Sequence, residues 1–337
     1  MTEQVLHILQ ELGEEAPVSE TRLALPTQIA LNLKLTSDFS TIQQALRTYE
    51  VPFLLVKGLA TQALLTQKQP KIPGDWDLIV PNEPKAIWNA NKALETLGFR
   101  QFYPHFSRPV QWQAWHRFGK AQVYQKSGQL DVDLHWRLFS QWIGIDIPFV
   151  NLWERRQTID IGSGHEAETL GNEDTLVFLC LHCAQDGWSS LKSLWEIHLA
   201  LKTLPVNTQT LLDISDLRWP LVVHTFDLAN WIFAHKPGKF GGGFATRTEA
   251  MQFLRAKRNQ PTDTGPALLQ KKYWQGNWRC MLPAATGLLT PSVEDISSAS
   301  LPYVWLYPLW RCGRLVKKFI WRSLLPRPNH FADFAEP

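Results

Sequence analysis

The chain has 337 residues, enough for a large core and for two domains or one domain with a large extension. Its 34 Lys and Arg against 31 Asp and Glu leave a net charge of +3, which gives no reason to expect a stable nucleic-acid partner. Hydrophobic residues at 45% exclude a disordered chain, and sixteen Trp point to aromatic-rich packing or stacking.

The first stretch, MTEQVLHILQELGEEAP, is acidic where a secretory leader would be basic, and its apolar residues fall at helical spacing, so it reads as a helix of the folded protein. No uncharged apolar run reaches the roughly 18 residues needed to span a bilayer. The nearest, Trp219 to His235, carries Asp227 and two His and reads as a buried helix. A cytoplasmic location is the resulting expectation. Residues 1–48 form an N-terminal helical segment, with SDFSTIQQALRTYE starting a helix at its Ser or Asp.

The periodicity then changes. VPFLLVKG reads as a short strand ending at Gly58, followed by the helix LATQALLTQ and a Pro-containing loop, KQPKIPG. A strand DWDLIV, a Pro-started helix EPKAIWNANKALETLGF and an aromatic loop from Arg100 to Arg117 come next. Two strands, AQVYQK and LDVDLHWRL, flank the turn residues SGQ and read as a hairpin. After Gly164 the pattern is helical: NEDTLVFLCLHCAQ, SSLKSLWEIHLALKTL and the apolar helix near 219–235. The expected architecture is α+β: a small mixed sheet at 49–162, flanked by a helical domain built from both chain ends, with 163–337 helical.

Alternate residues of a strand share a face, so Asp75 and Asp77 point together, as do Asp131, Asp133 and His135. Carboxylates converging from neighbouring strands repel unless cations sit between them, and hard divalent ions take such oxygen ligands. Lys57 and Gly58 stand where a strand turns into a helix, whose first amides suit a phosphate. The opposing reading of Asp75 and Asp77 is a turn with a capping Asp. Asp131 reads as the solvent-facing start of its strand. His135 is either a site residue that orients Asp133 or the acceptor, or an inner histidine beside Trp136. Cys180, His182 and Cys183 resemble half of a zinc site, but no second pair completes it, and the Cys read as small hydrophobes of a helix.

Taken in order, FLLVKGLATQALL, KIPGDWDLIV, LDVDLHWRL and EDTLVFLCLHCAQDGWSSLKSLWEIHLAL resemble the uncharacterised nucleotidyltransferase family of the DNA polymerase beta-like superfamily, over roughly residues 25–205. The resemblance implies that Asp75 and Asp77 are paired metal ligands. Asp133 would be a third carboxylate that ligates the catalytic metal and helps deprotonate a hydroxyl. Lys57, Gly58, Lys71 and His135 would lie along the bound nucleotide. Two Mg2+ ions are implied, with Mn2+ as substitute, and the partners would be a nucleoside triphosphate and an acceptor that the sequence does not name. Lys71 stands four residues before the first Asp, where this family often has Arg, and keeps the charge without the bidentate fork. The alternative is a non-catalytic nucleotide-binding or scaffold protein with the same fold in a biosynthetic pathway.

The C-terminal stretch 301–326 is basic and aromatic without an acid. It reads first as a terminal helix packing its apolar stripe onto the helical domain with its basic face solvated. Peripheral membrane contact or a stacking nucleic-acid surface are the readings behind that one.

Overall fold

A computed structural model of the chain describes residues 7–8, 25–65, 74–141, 146–162, 164–238, 240, 243–258 and 289–324. Its first long element is α1, Leu25–Thr48, followed by β1, Leu54–Val56, and α2, Gly58–Leu65. Then come β2 (Asp75–Ile79), α3 (Pro84–Thr96), β3 (Arg100–Tyr103), α4 (Pro109–Phe118), β4 (Ala121–Gln125) and β5 (Asp131–His135). Helix α5, Phe149–Glu154, precedes β6, Gln157–Asp160, and β7, Glu166–Thr169. The remaining helices are α6 (Asn172–Gln185), α7 (Leu191–Thr203), α8 (Thr208–Ser215), α9 (Trp219–Ala234), α10 (Arg247–Arg258), α11 (Val293–Ser298) and α12 (Leu306–Leu324).

The strands make one mixed seven-stranded sheet in the order β3-β4-β5-β2-β1-β7-β6, giving an α+β fold. Strands β2 and β5 pair in parallel, as do β1 and β7, and the other pairs are antiparallel. The expected β4–β5 hairpin is present, and its turn places Gly128 at φ +75°, where an L side chain would be strained.

Because strand side chains alternate, the sheet divides two cores. Leu55, Trp76, Leu78, Val132 and Leu134 face one way, onto the stripe Leu35, Phe39, Ile42 and Leu46 of α1 and onto Ile87, Ala90 and Leu94 of α3. Each such buried side chain contributes about 2 kcal/mol. Leu54, Val56 and Ile79 face the other way, into the core of α6, α7 and α9. Helices from the two ends of the chain therefore flank opposite faces of the sheet. At the junction, Arg155 donates from Nε and Nη2 to the buried Asp174 carboxylate of α6 at 2.7 and 2.8 Å, tying the segment before β6 to the helical layer.

Several local expectations differ from what is found. Helix α1 runs unbroken through Ser37 and Asp38: Asp38 pairs with Lys34 one turn earlier at 2.6 Å, and Ser40 and Thr41 turn their hydroxyls back onto the carbonyls of Thr36 and Ser37. The stretch read as an aromatic loop holds β3 and α4. Pro109 opens α4, and Gln111 accepts from the Arg108 amide and donates to Ile296 O of α11. The terminal helix α12 departs in part from the expected packing. Tyr307 is buried and Arg311 and Arg314 reach Asp295 of α11, whereas Leu309 and Val316 are exposed. The remainder of 1–24 and residues 66–73 lie outside the described residues, and with them Lys71.

Candidate metal and phosphate site

The site is assembled by strand register. Parallel pairing sets Asp75 beside Asp131, Asp77 beside Asp133 and Ile79 beside His135, so the acidic residues of both strands line one face. Antiparallel pairing of β1 sets Val56 beside Asp77, which brings the end of β1, and Lys57 after it, to the same place. That face is the one covered by the C-terminal helices, and the site lies at the rim of their core.

Lys57 adopts φ +57° and Gly58 φ +43°. A non-glycine residue in the left-handed region costs on the order of 1 kcal/mol, and such residues concentrate at functional turns. The turn carries the Lys57 Nζ to 3.2 Å from Asp77 Oδ1 and over the Phe178 ring of α6 at 5.6 Å from its centre. From the other side, His135 Nε2 lies 3.1 Å from the same Oδ1. Both contacts converge on one oxygen, so Oδ2 carries neither.

Ligand atoms of Asp77, Asp133 and His135 lie within 4.8 Å of one another, a grouping able to hold a metal ion. Asp75 stands outside that tight set, one residue pair along the face, half-buried. Its carboxyl is raised above the usual range by burial and by the charge of Asp77. Asp133 is pushed up to about 6, by burial first and then by the charges of Asp77 and Asp75. Burial would raise Asp77 as well, but the bond from His135 and the charge of Lys57 outweigh it and hold that carboxyl low. His135 is lowered by complete burial, so it is neutral and donates Nε2–H to Asp77. A cluster in which one carboxyl is held ionised and two are pushed up by burial and by its charge is under-compensated, and the donor set suits a divalent cation.

Other expectations resolve locally. Asp131 opens β5, is half-buried and accepts a 2.8 Å bond from Gln125 Nε2 of the neighbouring strand. Cys180 and Cys183 are buried in the helical core, and burial pushes both thiols up, as packing residues require. His182 is half-buried and pairs through Nδ1 with Asp186 at 3.2 Å.

Two lysines absent from the sequence reading belong here. Lys120 sits between α4 and β4, and its carbonyl accepts from the amide of Trp136, the residue after His135. Burial and Lys57 lower its ammonium, while Asp77, Asp186 and Asp133 oppose that, which places Lys120 in the field of the cluster. Gly119 before it is required by close approach: a Cβ there would meet the Trp115 ring at 2.4 Å. Lys192, in the first turn of α7, is exposed and lies 3.9 Å from Glu196, and its charge is the weakest of those acting on Asp75. No spacing rule links either lysine to the DxD pair, since both reach the site only through tertiary packing.

Fold and site together define a nucleotidyltransferase-like class. The profile of the family described as uncharacterised nucleotidyltransferase matches residues 4–221, and the chain belongs to that family. Among solved structures, an antigenic nucleotidyltransferase-like protein from Paracoccidioides brasiliensis is similar at 17% identity and a TM-score of 0.37, covering 72% of this chain and 96% of that one. The comparison with curated proteins gave no match. Among the described residues, no helix is long and apolar enough to cross a membrane.

Proposed function

We propose that this protein is a metal-dependent nucleotidyltransferase that moves a nucleoside monophosphate from a nucleoside triphosphate to a hydroxyl of a small molecule, sugar derivative or protein. The observation that carries this reading is the in-register placement of Asp75 and Asp77 on β2 against Asp131 and Asp133 on β5, facing Lys57 at the head of α2. Asp75, Asp77 and Asp133 would hold Mg2+, with Mn2+ as substitute. His135, bonded to Asp77 and buried, acts as a positioning residue for that carboxylate rather than along the nucleotide. When bound, the metal would supply charge compensation for the triphosphate.

The work of the chain itself is to bind and orient. Lys57 offers a point charge to the triphosphate, the first amides of α2 from Gly58 onward offer donors, and Lys120 and Lys192 add positive potential around the carboxylates. Asp133 takes the proton of the acceptor hydroxyl. The acceptor oxygen then forms its bond to the α-phosphorus while the bond to the β-phosphate oxygen breaks in line, and pyrophosphate leaves with the electron pair.

A second reading rests on the Lys57–Asp77 pair, which supplies an internal countercharge and lets the cluster stand as a nucleotide-binding or scaffold module without turnover. Calorimetric titration with non-hydrolysable analogues of the four ribonucleoside triphosphates, with and without magnesium, separates the outcomes. Magnesium-dependent binding that disappears in the Asp75→Asn/Asp77→Asn variant supports the triphosphate site. Failure of the wild-type protein to bind at millimolar ligand rules the transferase reading out.

A further inference from the structure

The terminal helix α12 is amphipathic, yet two of its arginines are engaged by α11 while part of its apolar stripe faces out. Arg311 and Arg314 donate to Asp295 of α11 at 2.5 and 2.7 Å, and Tyr307 closes a small core with Ile296, Ala299 and Ala114. At 100° per residue, Leu309 and Val316 lie seven positions apart on one stripe, well round the helix from those arginines. That stripe is open: Leu309 is 60% exposed and Val316 57%. Just before the helix, Tyr303 and Trp305 stack at 6.2 Å between ring centres, and both are exposed. Residues 301–327 contain no Asp or Glu, and Lys317 is exposed beside the stripe.

We infer that this face is a peripheral docking surface for an anionic membrane. An outward aliphatic stripe with aromatic rings at one end and the cation Lys317 at its flank matches the headgroup–acyl boundary, where apolar side chains enter the lipid and an ammonium group meets lipid phosphates. The complementarity is specific to that occupant. A nucleic acid would need its cations free and stacking rings along the helix, whereas here Arg311 and Arg314 are engaged by Asp295 and the stripe of Leu309 and Val316 has no stacking face, so the apolar row favours lipid. A second copy of the chain would set two acid-free basic segments against each other. The surface would hold the enzyme's site beside a membrane and is independent of what that site transfers.

The test is flotation of the full-length protein with vesicles of phosphatidylcholine alone and of phosphatidylcholine with phosphatidylglycerol. Binding is expected only with the anionic vesicles and weakens as salt rises. The Leu309→Ser/Val316→Ser variant, altered at exposed positions and checked for an unchanged melting temperature, is expected to bind roughly tenfold or more weakly. Lys317→Glu, also exposed, should weaken binding without touching the apolar row. The inference is overturned if wild-type protein floats with neither vesicle, or if the serine variant binds like wild type. It is equally overturned if the stripe proves to be covered in a dimer that the serine substitutions dissociate, or if they weaken binding to single-stranded nucleic acid but not to lipid.

Discussion

Lys57 stands at the point where two demands on the site compete. Its ammonium neutralises Asp77 across 3.2 Å, and the same charge is the one suited to a triphosphate. With about a quarter of the side chain exposed, the pair is screened and contributes on the order of 1 kcal/mol. Removing the cation while keeping the aliphatic stem, as in Lys57→Met, should therefore shift two affinities in opposite directions. Divalent metal alone is expected to bind roughly fivefold more tightly, because Asp77 no longer has a competing positive partner. Nucleoside triphosphate in the presence of metal is expected to bind roughly tenfold more weakly, because a phosphate contact is gone. Calorimetry on the two ligands separately checks this, and a parallel fall in both affinities would mean that Lys57 serves the backbone turn and not the charge balance. His135 next to it illustrates how a residue's phase can be legible while its partner is not. Its phase on the strand was readable, but its partner is Asp77 on the neighbouring strand, chosen by a parallel register that the sequence does not encode locally.

At the scale of elements, the helices of the C-terminal half were the most legible. Helices α6, α7 and α9 carry long apolar patterns with clear ends, and the bounds of α6 coincide with the motif NEDTLVFLCLHCAQ. Strands β3, β6 and β7 were not legible. β3 is an edge strand with little buried surface, and β6 and β7 are four-residue strands rich in polar side chains, so none shows a sustained alternation. Strand β7 joins the sheet through a parallel partnership with β1 more than a hundred residues earlier, which is a tertiary choice. The helical layer also hides a titrating group. His198 of α7 is fully buried between Trp195 and Phe233, and burial first, then Lys202, lowers it from 6.5 to about 4. The unfolded chain therefore takes up a proton between these values while the folded chain does not, and stability falls as pH drops from about 6.5 to about 4. This one group should make the protein about 2 kcal/mol less stable near pH 5 than near pH 7. Urea unfolding at the two pH values should show that difference, and His198→Phe should shrink it by a similar amount. An unchanged pH slope in the variant would show that the proton is taken up elsewhere.

For the whole molecule, the sheet is both the partition between two cores and the frame of the site. Strand β1 sends Leu55 into one core and Leu54 and Val56 into the other, and it ends at Lys57. Strands β2 and β5 bring carboxylates together from positions more than fifty residues apart, so the ligand set exists only when the central strands are paired. The acidic pairs were legible because strand alternation puts Asp75 with Asp77 and Asp131 with Asp133. Their convergence from neighbouring strands was legible too, whereas the parallel register that sets Asp77 beside Asp133 was not, and Lys120 was hidden because packing alone delivers it. A ligand that requires the folded sheet stabilises it by mass action. At a metal concentration a hundred times its dissociation constant the gain is about 2.7 kcal/mol, which for a chain of this length raises the melting temperature by roughly 4 °C. Differential scanning fluorimetry with Mg2+ or Mn2+ should show this rise, a chelator should reverse it, and Asp77→Asn should abolish it. The Asn side chain keeps the volume and an oxygen for His135 to bond, so the variant should melt near the metal-free wild type. A melting temperature that stays fixed at millimolar metal would mean that Lys57 and His135 already complete the cluster, and that the carboxylates serve the sheet junction in place of an ion.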